Sequence, residues 1–404
     1  MKPLEGIKVV ELSTMLAGPM TSRLLAEWGA DVIKVETVKG DPWREQAGTS
    51  LSPRTAIANP NFDMQNINKR FLSLNLRSAK GMEAMRKLLA EADVFVTNNR
   101  LQALQAMGLD YPQLKKDYPR LIFAHVLGYG SEGPEKNRPG YDYTAFCART
   151  GFLVDFAPAG GPPLNTVAGV GDHSVAVALA GGIAAALLKR ERTGEGDRVD
   201  VSLLQMGTFI FTCGLLNGFN GRQYPRSRYD CAHAGSNTYK GSDGEWMYLA
   251  VVDYQKKFET FCKVIGHPEL LEDPRFNTQD AYYKNKAPLT EILEKVFETQ
   301  PISYWHELFD KNDLPHEVCR HFKEVPYDPQ VQANHYAYFH EYPDGTKTVF
   351  TNGPVHFGSI EPSEIPCKEP GGIGRDSGEI LKELGYAEDE ISGMIAAGDV
   401  RQAL

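Results

Sequence analysis

The chain has 404 residues, enough for two to three domains at roughly 150 residues each. Its 42% hydrophobic and 24% charged content excludes a disordered, fibrous or disulfide-built chain. The 43 basic against 52 acidic side chains leave a net charge of −9 with no long Lys/Arg run to offset it, so neither nucleic acid nor an anionic membrane is an expected partner.

The first 36 residues alternate strand, helix, strand: 7–12 is a strand, 19–28 a helix closed by Gly29, and 31–36 a second strand. Strand 71–76, helix 80–92, strand 93–96, a short helix at 113–117 and strand 121–126 continue the alternation, which predicts an α/β domain with a largely parallel sheet. A long apolar helix follows at 173–192, ended by the turn 194–197 and a strand at 198–203. The uncharged stretch 201–221 is long enough to span a bilayer, but its Gln205, Asn217 and Asn220 favour a buried helix. Polar residues 221–230 read as a linker into a smaller α+β domain, with a strand at 246–252 and amphipathic helices through 310. Strand and turn signals return at 336–357, and helices at 377–385 and 388–397 finish the chain. The six scattered cysteines form no C-x-x-C pair and read as reduced thiols. The N-terminus lacks the charged and apolar regions of a signal peptide, so a cytoplasmic location is expected.

The opening β-α-β unit with Glu36 at the end of its second strand invites a dinucleotide-binding reading. Its turn, residues 13–19, has one glycine where three are needed, which argues against that reading but leaves a helix N-terminus suited to an anionic ligand. Asp172, in Gly169-Val170-Gly171-Asp172-His173, precedes the apolar helix. There it reads first as an N-cap accepting backbone N–H bonds, a role that does not exclude a carboxylate nucleophile kept ionised by the helix terminus. His173 reads first as a structural group. The ten histidines show no H-E-x-x-H or comparable spacing, so no metal is expected. Residues 66–70, with Lys69 and Arg70 together, read as a solvated turn, and Gly371-Gly372-Ile373-Gly374 as a plain one.

Taken together, several segments resemble the class III (CaiB/BaiF-type) CoA-transferases. They include residues 4–12, Ala17-Gly18-Pro19, residues 27–36, Gly40-Asp41-Pro42-Trp43-Arg44, Asn68-Lys69-Arg70 and Leu74-Asn75-Leu76. Asn98-Asn99-Arg100, Gly128-Tyr129-Gly130, Pro139-Gly140-Tyr141-Asp142, Gly171-Asp172 and residues 193–203 continue the series in order. Residues 92–108 and 128–146 look most similar to the 2-hydroxyacid branch, whose acids include phenyllactate and 2-hydroxyisocaproate.

The resemblance implies a Rossmann-like large domain over 1–220, a small α+β domain over 221–330, and a C-terminal segment, 331–404, that returns to the large domain. It also implies an interlocked homodimer. The family's catalytic aspartate falls on Asp172, which would form an acyl anhydride and then an aspartyl-CoA thioester, with glycine-flanked backbone N–H groups holding the oxyanion. Coenzyme A, a substrate rather than a permanent cofactor, would lie along Leu16, Ala17, Asn68, Lys69, Arg70, Leu74, Arg77, Asn98, Asn99, Arg100 and Ala103. Lys69, Arg70, Arg77 and Arg100 would meet its phosphates. Tyr141 and Asp142 would lie near the reacting substrate, with Met15, Met20 and residues 203–219 as pocket walls. Thr37 and Ala106 stand where other members carry arginines, and the nearest match to a shielding glycine loop is Ala234-Gly235-Ser236-Asn237. A racemase of the same fold is the alternative, for which His125 and His173 would supply acid–base groups.

Overall fold

In the central parallel strands Val94–Thr97 and Ile122–Leu127 every residue is buried, as a sheet with helices on each side requires. A computed structural model describes residues 1–46, 52–251 and 254–403. It contains two compact units: Met1–Phe152, Thr166–Leu215 and Pro326–Leu404 form one, and Leu153–Asn165 with Leu216–Val325 the other.

In the first unit, β1 (Lys8–Leu12), β2 (Asp31–Glu36), β3 (Arg70–Leu74), β4 (Val94–Thr97), β5 (Ile122–Leu127) and β6 (Arg198–Ser202) are parallel, in the spatial order β3-β2-β1-β4-β5-β6. The C-terminal strand Val400–Arg401 adds antiparallel to the outer edge of β3, Val400 opposite Leu74. One face carries α1 (Ala17–Glu27) and the Val170–Thr193 helix, which pack on each other. The other face shares a core with Met85, Leu88 and Leu89 of the Ala79–Ala90 helix and with Ile380, Leu381, Ile391 and Met394 from the last two helices.

In the second unit, antiparallel strands Ser236–Lys240, Trp246–Ala250 and His316–Val318 share a core with the Lys286–Phe297 and Ile302–Lys311 helices. Tyr239, Leu249, Leu293, Phe297, Trp305 and Phe309 fill it. The end expected for the middle strand, at 252, lies outside the described residues.

Three expectations need correction. The stretch 201–221 is not one buried helix: after β6 it forms two short helices, Leu203–Ile210 and Thr212–Phe219, parted at Phe211, with Phe209 75% and Phe219 91% exposed. The short helix Leu101–Met107 follows β4, where no helix was expected. The apolar helix starts at Val170, not 173. Among the described residues it is the one helix long and apolar enough, by length and composition, to cross a bilayer. A core helix passes the same test, and here Val175, Leu179, Ile183 and Leu187 are buried.

Candidate active site

In a sheet ordered 3-2-1-4-5-6, the connections after the two central strands run to opposite sides and leave a crevice at their C-terminal ends. Here those strands are β1 and β4. The loop after β1 leads to Leu16 and Ala17 at the start of α1, and the loop after β4 runs through Asn98, Asn99 and Arg100 into the helix that holds Ala103. Six of the residues expected to meet CoA thus gather at this edge, beside two helix N-termini. The loops are tied together: the Asn98 amide accepts from the Thr14 N–H at 3.0 Å and donates to its carbonyl at 2.7 Å, while Asn99 donates to the Leu12 carbonyl at 2.8 Å. Gly18 is required because a Cβ there would meet Ser13 Oγ at 2.5 Å.

Beneath the β1 loop lies a buried ion cluster that sequence reasoning missed. Glu11 receives the Lys34 ammonium and the Ser13 hydroxyl on one carboxylate oxygen, and the Lys69 ammonium on the other, each at 2.7 Å. Lys34 also donates to the Ser13 carbonyl and pairs with Asp41, whose carboxylate accepts the Met15 N–H. A lysine in the middle of the buried run Asp31–Glu36 was the available signal. Burial raises the Glu11 pKa, but the two ammoniums outweigh it and hold the carboxyl down at about 2.

This cluster corrects the reading of residues 66–70. Lys69 is 1% exposed, and its ammonium also donates to the Pro19 and Gln65 carbonyls and to Asn66, so it has no free donor for a phosphate. Its partner Glu11 makes the segment a buried anchor rather than a solvated turn. Arg70 is paired with Glu383 at 2.6 Å and Asp31 at 3.4 Å. Leu74 points into the sheet core and presents no side-chain surface to a ligand. Asn68, held at φ 66°, is bonded to the Lys368 backbone. Arg77 and Arg100 are exposed.

Asp172 sits in the first turn of the Val170–Thr193 helix, whose cap is Gly169 at φ 96°. The expected N-cap role belongs instead to Asp142, whose buried carboxylate accepts the Gly169 N–H at 2.8 Å and the Gly171 N–H at 2.7 Å. A Cβ on residue 171 would meet Asp142 Oδ1 at 2.6 Å and the Phe146 ring at 2.4 Å, so glycine is what admits both. Those two amides are therefore occupied, which leaves Val170 and Asp172 as the first-turn donors without a helical partner. Asp172 was expected to stay ionised. Instead, burial first and the neighbouring Asp142 charge second push its carboxyl up to about 7.

The approach to this turn is built from Tyr141, which is exposed, and a π-helical segment, Asp142–Ala148. Gly128 and Gly140 pack backbone to backbone just before it, where a Cβ on residue 128 would lie 2.6 Å from Gly140 Cα. Cys147 is no rival nucleophile, since burial and the two aspartates raise its thiol to about 12. His173 has its pKa lowered by burial. His125 is sealed in β5 with Nε2 2.7 Å from the Asn99 carbonyl, which leaves it no access to a substrate α-carbon. The Ala234–Asn237 stretch is no free glycine loop, because Ala234 is buried and the Gly235 N–H donates to Tyr282.

The family model for CoA-transferase family III matches residues 4–376. The chain belongs to CoA-transferase family III. The (R)-2-hydroxy-4-methylpentanoate CoA-transferase of Clostridioides difficile is 41% identical over 395 residues, 96% of this chain and 97% of that one. The cinnamoyl-CoA:phenyllactate CoA-transferase of Clostridium sporogenes is 36% identical over 393 residues, 96% and 94% of the two chains. A CaiB/BaiF family protein from Brucella suis superposes with a TM-score of 0.80 at 29% identity, covering 95% of this chain and 99% of its own. The seven-stranded sheet is that of a family III enzyme, and CoA thioesters are the substrates of this class.

Proposed function

We propose that this CoA-transferase moves CoA between an acyl-CoA and a 2-hydroxyacid, with Asp172 as the covalent carrier. The Asp172 carboxylate attacks the donor thioester carbonyl and expels CoA thiolate, leaving an acyl-aspartyl anhydride. The thiolate attacks the aspartyl carbonyl, releases the donor acid and forms an aspartyl-CoA thioester. The incoming carboxylate repeats the sequence in reverse order, carries CoA away and restores Asp172. One thioester is exchanged for another, so the overall step is close to isoenergetic and needs no external energy source. The observation that carries this reading is a half-buried carboxylate in a helix first turn that, among the described residues, accepts no hydrogen bond, because Asp142 does the capping. A carboxylate that no protein donor ties up, and whose basicity burial raises, is the better nucleophile, and the Val170 and Asp172 N–H groups are the donors left for the oxyanion.

CoA lies, in this reading, along the β1–β4 crevice, with Arg77 and Arg100 as its phosphate contacts. The 2-hydroxyacid class rests on the relatives named above. In this reading the chain works in the cytoplasm as an interlocked homodimer; the exposed apolar side chains after β6 support association of copies.

The test is mass spectrometry after incubation with an acyl-CoA and trapping by hydroxylamine or borohydride. The expected result is a modification on the Asp172 peptide and loss of exchange in Asp172→Ala. Exchange at the wild-type rate in that variant, or trapping at another residue, overturns the reading.

A further inference from the structure

In the second unit, far along the chain from Asp172, three side chains converge that the transfer chemistry does not use. His306 and Asp310 stand one turn apart on the same face of the Ile302–Lys311 helix, and the chain then reverses to place His316 at the start of the adjoining strand. His306 Nδ1 lies 2.8 Å from His316 Nε2. Asp310 lies 3.6 Å from His306 Nε2 and 3.8 Å from His316 Nε2.

The His316 ring is pre-set. Its side chain is 3% exposed, lies edge-on to Phe309, and has Nδ1 2.8 Å from the Leu314 carbonyl. A carbonyl only accepts, so Nδ1 carries the proton and Nε2 presents a lone pair to the other two side chains. A second nitrogen bonded to a backbone carbonyl is the usual outer support of a metal-bound histidine. Two ligand atoms about 2.1 Å from a tetrahedral ion stand roughly 3.4 Å apart, within a few tenths of an ångström of the separation between Asp310 and His316 Nε2. One donor atom from each residue falls in a group whose members all lie within 4.8 Å of one another.

We propose that His306, Asp310 and His316 bind one divalent transition-metal ion of the zinc class. Two imidazoles and a carboxylate suit such an ion better than magnesium or calcium, which take oxygen ligands. On binding, the His306 proton moves from Nδ1 to Nε2, so Nδ1, His316 Nε2 and an Asp310 oxygen supply three lone pairs. The two nitrogens part by about half an ångström to reach the tetrahedral spacing. Asp310 is 64% exposed, which opens the fourth position to water or solvent-borne ligands. Three ligands from one helix and the following strand would pin the turn between them.

The test uses the untagged full-length chain, freed of metal with a chelator and titrated with Zn²⁺ by calorimetry, then with Co²⁺ by visible absorption. The expected result is one equivalent per chain and a cobalt d–d band. Asp310→Asn and His316→Ala should each lose on the order of tenfold or more in affinity, since loss of an outer support alone costs about that much. Asp310 is exposed, so its variant keeps the fold and decides the matter if His316→Ala does not fold. Absence of stoichiometric zinc, or binding that Asp310→Asn and His306→Gln leave unchanged, overturns the proposal and reduces the trio to a hydrogen-bonded turn.

Discussion

Asp142 and Asp172 divide between them what one residue does at most helix starts. Asp142 satisfies two amides and in doing so sets a second negative charge beside Asp172. Ionisation makes Asp172 a nucleophile, so kcat/KM for the donor acyl-CoA should rise with pH, with its midpoint at about 7, and level off above that. Asp142→Asn removes the like charge and leaves the burial. The midpoint of that rise should therefore move to lower pH while staying above the ordinary carboxylate range, and the lost charge-assisted bonds should cost about 1–3 kcal/mol in a denaturant titration. A midpoint that stays put would show that Asp142 does not set the charge on Asp172. The Gly-Val-Gly-Asp pattern marks the helix start but is silent on its cap, because the capping residue lies 29 positions upstream of Gly171. Lys69 misleads for the same reason: beside Arg70 it reads as solvated charge, and only its contact with Glu11, 58 positions away, makes it an anchor.

Among elements, the β1–α1–β2 unit rests its ligand loop on the Glu11 cluster. The depressed Glu11 pKa contributes stability that is complete above its ordinary value near 4.5 and is lost as pH falls toward about 2. Urea titrations between pH 7 and pH 2 should show that acid limb. Glu11→Gln should flatten it, destabilise the protein by about 3–5 kcal/mol at neutral pH because Lys34 and Lys69 lose their shared partner, and raise KM for acyl-CoA through the Ser13–Met15 loop. Unchanged acid stability would remove the cluster from this role. The strand and helix alternation up to β5 was legible because parallel strands buried on both faces read as short apolar runs between amphipathic helices. The Leu101–Met107 helix was not, since it has seven residues, one of them, Leu104, buried. Residues 201–221 failed differently: their apolar content is real, but it faces outward, and composition carries no record of which surface will cover it.

At the scale of the whole molecule that outward face predicts an assembly. Phe209 in the first unit, and Leu216 and Phe219 in the second, are each more than half exposed, so each unit carries uncovered apolar surface of its own. Light scattering should give a dimer mass for the wild type, and Phe209→Ser combined with Phe219→Ser should shift it toward the monomer. A wild-type monomer at micromolar concentration would send this surface to another role. The strand Val400–Arg401 bears on a different matter, the order in which the molecule is made. It occupies the edge of β3, yet it is synthesised more than three hundred positions later. Until the later segments are made, β3 offers unsatisfied backbone groups to any extended chain nearby: the Phe71 and Ser73 N–H groups wait for Asp376 and Ser377, and the Ser73–Leu74 edge for Val400 and Arg401. A product cut short before Asp376 would keep that sticky border permanently, so clean expression depends on a segment made long after the sheet as much as on the nucleophile being right.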